Sequence, residues 1–237
     1  MIGTVPKNLR PSSSTTTTSP LPTTPTTTTT TTPTTTTAPF SDLGQGSSGP
    51  AVLALQERLS SLGYWLGSPN GQFGDATEQA VYALQKAAGL VPDGIVGPLT
   101  EGALSSGTVP HPRSTLGYVI EVDLEDDLLL IVNNGHLEYV LNTSTGGGYQ
   151  YTEDGVTATA VTPRGQFHIY RQVFGMVVDP LGELWLPKFF YQGFAIHGDS
   201  YVPPHPVSHG CVRVSNEAIE WIWADNLAPI GTSVWVY

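Results

Sequence analysis

The sequence predicts a small three-helix module followed by a mainly β domain, a twisted sandwich or half-barrel with one or two helices. A Thr/Pro-rich stalk precedes both. Three observations carry this reading. Residues 1–41 are low in complexity, residues 42–106 contain an internal repeat, and residues 116–237 break into short β-branched runs separated by turn signals.

From Ser12 to Thr37 the chain is almost entirely Thr, Pro and Ser, with Leu21 the single large apolar residue. Such a stretch buries too little apolar surface to offset its conformational entropy, so a disordered, extended linker is expected. Fully stretched, Pro-interrupted chain of this length reaches on the order of 100 Å. Tracts of this composition often carry sugars in exported proteins, and an unmodified spacer fits equally well.

The repeat aligns Gly71–Val81 with Gly94–Leu104 without a gap, matching Gly, Gly, Thr, Glu and Ala. In the preceding helix Val52, Leu55, Leu59 and Leu62 share one face, with Pro50 near its start and Gly63 as a left-handed stop. Asp75 and Glu78 have the spacing of a capping box for the next helix. After the break at Val109-Pro-His-Pro112, strands are expected at 118–122, 128–132, 137–141, 167–170, 184–186, 193–196 and 233–237. The Asn133-Asn134-Gly135 turn joins two of them as a hairpin. One helix is expected from Asn216 to Asn226, capped by Ser215, with Glu217 at its positive end.

Net charge is −11 with nine Lys and Arg, which excludes nucleic acid as a partner for want of a basic patch. No apolar run reaches the length of a membrane-spanning helix. Met1 to Arg10 has charges but no apolar h-region, so an exported protein requires a signal not visible in this chain. One cysteine excludes an intrachain disulfide.

That cysteine lies in Ser208-His209-Gly210-Cys211-Val212-Arg213, preceded by Ile196-His197-Gly198. The residue types leave three readings open. Cys211 is a nucleophile served by a histidine base, with the Gly210 and Cys211 amides as an oxyanion hole. Alternatively His197, His205, His209 and Cys211 bind zinc, although their spacing matches no common zinc pattern. Or Cys211 is a buried structural residue.

Two resemblances bear on the choice. Residues 42–106 resemble the three-helix peptidoglycan-binding domain, through Gly46-x-x-Gly49-Pro50, Leu55-Gln56, Leu62-Gly63-Tyr64, Gly71-x-Phe73-Gly74-x-x-Thr77, Leu84-Gln85 and Asp93-Gly94-Ile95-Val96-Gly97-Pro98-x-Thr100. Residues 116–237 resemble the L,D-transpeptidase catalytic domain, whose signature is a His-Gly, a variable loop, and Ser/Thr-His-Gly-Cys followed by an apolar residue and Arg or Asn. Ser144-Thr145-Gly146, Thr162-Pro163-Arg164-Gly165-Gln166-Phe167 and Pro229-Ile-Gly-Thr232 extend the match.

The resemblance implies Cys211 as nucleophile, His197 as proton donor and acceptor, and Gly198 orienting the imidazole through its carbonyl. His209 is the alternative base, since two residues from Cys211 in an extended chain it shares a face with the thiol. Ser208 is expected to bond within the loop. Arg213 either steadies a substrate carboxylate or pairs with an acid. Tyr191, Phe194, Trp185 and Tyr201 are groove candidates that compete with ordinary packing roles. The implied chemistry is attack on the third residue of a peptidoglycan stem tetrapeptide, release of D-alanine, and transfer from the thioester to an amine acceptor. No metal or organic cofactor is implied, carbapenem acylation of the thiol is, and the implied location is extracytoplasmic, in the cell wall or periplasm. An L,D-carboxypeptidase and a non-catalytic wall-binding protein are the competing functions.

Overall fold

The computed structural model describes residues 43–237, which fall within one compact unit. The expected Thr/Pro-rich linker at 1–41 lies outside the described residues.

Three helices open the described chain: α1 (Pro50–Ser61), α2 (Asp75–Ala87) and α3 (Pro98–Ser106). Proline occupies the first turn of α1 and α3, where a missing N–H costs nothing. Gly63 takes φ 89 just past α1, the left-handed stop expected there. The capping box is not formed. Asp75 sits one residue inside α2, Gly74 is the cap, and no side chain closes it. Asp75 instead accepts a hydrogen bond from Gln45.

The internal repeat has a physical basis in two glutamines. Gln56 Oε1 accepts from the Asn70 and Gly71 amides, and its Nε2 donates to Gln72 O and Thr77 Oγ1. Gln85 repeats this on the Gly94 amide, Ile95 O and Thr100 Oγ1. Each glutamine stitches the following turn to the next helix, satisfying buried backbone groups that water cannot reach.

Twelve strands and one helix follow: β1 (Tyr118–Asp123), β2 (Leu128–Asn133), β3 (His136–Asn142), β4 (Gln150–Glu153), β5 (Val156–Thr159), β6 (Gly165–His168), β7 (Arg171–Gln172), β8 (Met176–Asp179), β9 (Gly182–Tyr191), β10 (Phe194–Asp199), β11 (Val212–Ser215), α4 (Asn216–Ala224) and β12 (Ser233–Val236). One sheet runs β3-β2-β1-β12-β6. The second runs β11-β10-β9-β7, with β8 also on β9, and β4–β5 stand apart as a hairpin. The β2–β3 turn uses Asn134 and Gly135, both at positive φ, as its sequence requires. Ser215 Oγ caps α4 by accepting from the Ala218 amide, and the helix ends at Ala224, two residues short of the expected Asn226.

The run Leu128–Val132 is apolar at every position because both faces of β2 are covered. Leu129 and Ile131 enter the core between the sheets with Ile120, Ile196, Val212 and Ile219. Leu128, Leu130 and Val132 face outward and are buried by Leu55, Leu59 and Leu84 of the helices. Tyr64 pairs with Val140, so the helical module also closes the edge of β3.

Lys188, on β9, is 1% exposed and points into the core, where Nζ donates to Ala228 O and lies over the Trp223 ring. Burial pushes its amine down to about 8. Between that value and the ordinary 10.5 the unfolded chain holds more protons, so this residue makes the fold more stable as pH rises. Measured against Lys188→Met by thermal melts, wild-type stability is expected to gain about 2–3 kcal/mol from pH 8 to 10.5. Parallel curves would contradict this.

Candidate active site

β10 and β11 run parallel, with Ile196 opposite Val212 and His197 opposite Arg213. Since alternate residues face opposite ways, sending Ile196, Val212 and Val214 into the core leaves Ala195, His197, Cys211 and Arg213 on the other face. There His197, Cys211 and Arg213 line a cavity of about 570 Å³ together with Phe194, Ser208 and His209, while Ala195 is buried beneath it. Cys211 is only partly buried and opens into this cavity, unlike a structural core cysteine.

His197 is 4% exposed, and its Nδ1 lies 2.9 Å from Gly198 O. A carbonyl only accepts, so Nδ1 carries the proton and Nε2 is left as the acceptor. Gly198 has no room for a side chain: a Cβ would stand 2.6 Å from both Asn216 Oδ1 and Ile219 Cγ2. The start of α4 thus packs directly against the strand that holds the imidazole.

The loop before Cys211 is tied down from three sides. Ser208 Oγ donates to Cys211 O at 2.6 Å and accepts from the Gly210 amide at 3.0 Å. Thr162 Oγ1 accepts from the Gly146 amide and donates to Gly210 O. The Ser208 amide donates to Thr145 O. The three separate sequence stretches 144–146, 162–167 and 208–213 therefore meet at one place. Gly210 sits at φ 140, and a Cβ there would lie 2.4 Å from the Phe194 ring. Because its amide is held by Ser208, the expected two-amide oxyanion hole at Gly210 and Cys211 is not preformed.

Other expectations need correction. His209 precedes β11 in a bend rather than an extended strand. Its ring rests edge-on against Tyr149 and Tyr151, at 5.4 and 4.8 Å between centroids. It lines the cavity with Tyr151, and among the described residues no hydrogen bond joins either His209 or His197 to the thiol; what distinguishes His197 is its Nδ1 held by Gly198 O. Phe194 lines the cavity, but Tyr191 does not; it stacks behind Phe194 and against Phe167. Trp185 lines a separate hollow and donates to Glu220, and Tyr201 belongs to a second cavity beside α2. Arg213 needs no correction: it pairs with an acid, one of its two expected roles, Nε to Asp199 Oδ2 at 3.3 Å, and both residues line the cavity. His205 is not in the cavity wall, and no three His, Cys, Asp or Glu side chains among the described residues converge as a metal site.

Tyr149, Tyr151 and Glu153 were not expected at the site. Their hairpin was legible in the alternation of 150–159 around Asp154-Gly155, both at positive φ, a two-residue turn signal as strong as the one at 134–135.

Burial pushes the Cys211 thiol up to about 11, opposed by the Ala195 backbone and the Arg213 charge. Burial also holds His197 below the ordinary histidine range, with the Gly198 carbonyl pulling the other way. Burial thus disfavours the charged form of both groups.

Comparison with known proteins gives the class first. Residues 117–236 match the L,D-transpeptidase catalytic domain model, and residues 48–104 match that of a peptidoglycan binding domain. The chain belongs to the L,D-transpeptidase family of cell-wall enzymes. A solved L,D-transpeptidase from Xylanimonas cellulosilytica is 49% identical, with a TM-score of 0.81, over 83% of this chain and 98% of that one. The helical module alone is shared with wall enzymes of other chemistry. It is 48% identical over 66 residues to the N-acetylmuramoyl-L-alanine amidase CwlL of Bacillus licheniformis. To the zinc D-Ala-D-Ala carboxypeptidase of Streptomyces albus G it is 49% identical over 61 residues. The chain spans 18% of that amidase and 24% of that carboxypeptidase.

Proposed function

We propose that Cys211 is acylated by a peptidoglycan stem tetrapeptide and passes the acyl group to an amine. Its sulfur attacks the carbonyl of the third residue while His197 Nε2 takes the thiol proton. The same imidazole then protonates the departing D-alanine amine, leaving a thioester. A side-chain amine of a second stem attacks the thioester, gives up a proton to His197, and restores the thiol. The observation that carries this reading is the placement of Cys211 and a tautomer-fixed His197 on one sheet face in one cavity. Gly198, Ser208 and Gly210 support the geometry, His209 forms part of the wall, and Phe194 gives an apolar contact. The protein works at the cell wall, where its helical module has its ligand.

The cavity wall carries Glu153, Asp179, Glu183 and Asp199 against the single guanidinium of Arg213. Such a wall favours a donor whose third residue bears an ammonium group. Asp179→Asn combined with Glu183→Gln is expected to raise KM about tenfold for a lysine-containing tetrapeptide, a loss of about 1.4 kcal/mol. Acetylating that amine on the substrate should remove most of the difference between variant and wild type. Equal KM values for both proteins on the free-amine substrate would refute the charge-based selection.

Mass spectrometry of tetrapeptide muropeptides incubated with the enzyme tests the reaction. Dimers linked between third residues, with free D-alanine, are expected. Tripeptides alone would make the enzyme an L,D-carboxypeptidase, and unchanged substrate with intact protein would leave a wall-binding protein without activity. Carbapenems are expected to acylate the same sulfur.

A further inference from the structure

We infer that Lys86, a residue of the helical module, is a positioning residue for the nucleophile of the catalytic domain. The inference rests on the acyl-transfer reading for its kinetic consequence, but not for its geometry.

Lys86 projects from the last turn of α2 into the β domain, where its side chain is 5% exposed. Its ammonium makes three contacts there: Asp127 Oδ2 at 3.2 Å, Asp127 O at 3.0 Å and Thr143 O at 2.9 Å. An ammonium has three protons to donate, so the group is fully used. Asp127 sits at φ 52 just before β2, and its other carboxylate oxygen accepts from both the amide and the hydroxyl of Thr145, at 3.0 and 2.7 Å. Lys86 and Asp127 thus grip the backbone at two points, residues 143 and 145.

What they grip is the strip against which the nucleophile is registered. Ser144 exchanges two backbone hydrogen bonds with Arg213, each at 3.1 Å, and Thr143 Oγ1 donates to Arg213 O. Ser144 Oγ donates to His205 O and accepts from the Val207 amide, while Thr145 O takes the Ser208 amide. Residues 143–145 therefore hold the chain on both sides of Cys211, from 205 to 208 before it and at 213 after it. Behind this strip stands a buried charge from the other module. A surface lysine used only to dock a module would keep its charge in water, where desolvation costs nothing. Here a charge is buried to fix three backbone-linked acceptors, and burial already lowers its amine.

Register matters because attack needs the sulfur and the imidazole within a fraction of an ångström of one geometry. Relaxing residues 143–145 would shift Cys211 relative to His197 on the neighbouring strand while leaving in place Glu153, Asp179 and Glu183, the wall acids on β4, β8 and β9 that no bond among the described residues ties to this strip.

The test uses the full chain with three substitutions, Lys86→Met, Lys86→Arg and Thr145→Val. Two readouts are taken on folded protein: kcat and KM for the tetrapeptide, and the pH dependence of Cys211 alkylation by iodoacetamide. Lys86→Met is expected to lower kcat at least tenfold with KM within twofold of wild type, and to move the pH midpoint of alkylation. Lys86→Arg should recover part of both. Thr145→Val, which removes one hydroxyl at constant shape, should lower kcat three- to tenfold and serves if Lys86→Met fails to fold. Folded variants with wild-type kcat and an unshifted alkylation profile would overturn the inference, as would losses matching only the unfolded fraction. Inactive wild type with shifted alkylation in the variants would instead count against the acyl-transfer reading alone.

Discussion

Cys211→Ala is expected to reduce D-alanine release and cross-link formation by on the order of 10⁴-fold or more, leaving the fold intact. The side chain is small and borders the cavity, packed only at the margin of the small Leu184–Phe189–Ala195 cluster, so alanine loses one sulfur at a site already open to solvent. Substrate binding should survive, because the charged and aromatic wall is untouched. The pairing of a dead enzyme with an unchanged KD for the tetrapeptide, measured by calorimetry, separates chemistry from binding. Retained D-alanine release would require another nucleophile, and the chain has no second cysteine.

The second large effect belongs to His197. Its replacement by alanine is expected to cost about 10²–10⁴-fold in kcat, the range of a single general acid–base group. The pH profile is more telling than the size of the loss. Burial holds the imidazole neutral below the ordinary histidine range, so wild-type kcat/KM should persist into mildly acidic solution and fall only as pH drops through that lowered value. The thiol, pushed up to about 11, does not ionise unaided at neutral pH. In His197→Ala the residual rate should therefore climb steadily toward pH 11, as hydroxide does what the imidazole did. His209→Ala should keep the wild-type profile shape, since that ring leans on Tyr149 and Tyr151 and, unlike His197, has no carbonyl fixing its tautomer among the described residues. A flat profile in His197→Ala together with a lost acid limb in His209→Ala would exchange the two roles.

The elements with strong local signals were legible in advance. Pro50, Gly63 and Ser215 mark helix ends because their chemistry satisfies or forgoes backbone hydrogen bonds within one turn. Asn134-Gly135 marks a hairpin because only such residues take two positive φ angles in succession. Asp75 misled because a side chain one residue inside the helix has the same spacing to Glu78 as a true cap. The short strands β7 and β8 gave no signal of their own, since they exist through pairing with β9. At the site, Cys211 and His197 stood out by residue type, and strand alternation explains why they share a face. Tyr191 could not be told from Phe194 in sequence, because which of two neighbouring aromatics reaches the cavity depends on the irregular register between β9 and β10. Least legible was the unity of the two modules. Lys86 looks like any helix-surface lysine until Asp127 and Thr143, far along the chain, close around it.

The most direct test of the central claim is intact-mass spectrometry of wild-type enzyme quenched in acid during turnover of a stem tetrapeptide without acceptor amine. The account predicts a protein species heavier by the tetrapeptide less D-alanine, mapped by digestion to Cys211, absent in Cys211→Ala and accumulated when His197 is replaced by glutamine only after slow acylation. Turnover with no covalent adduct, or an adduct on any other residue, would contradict it.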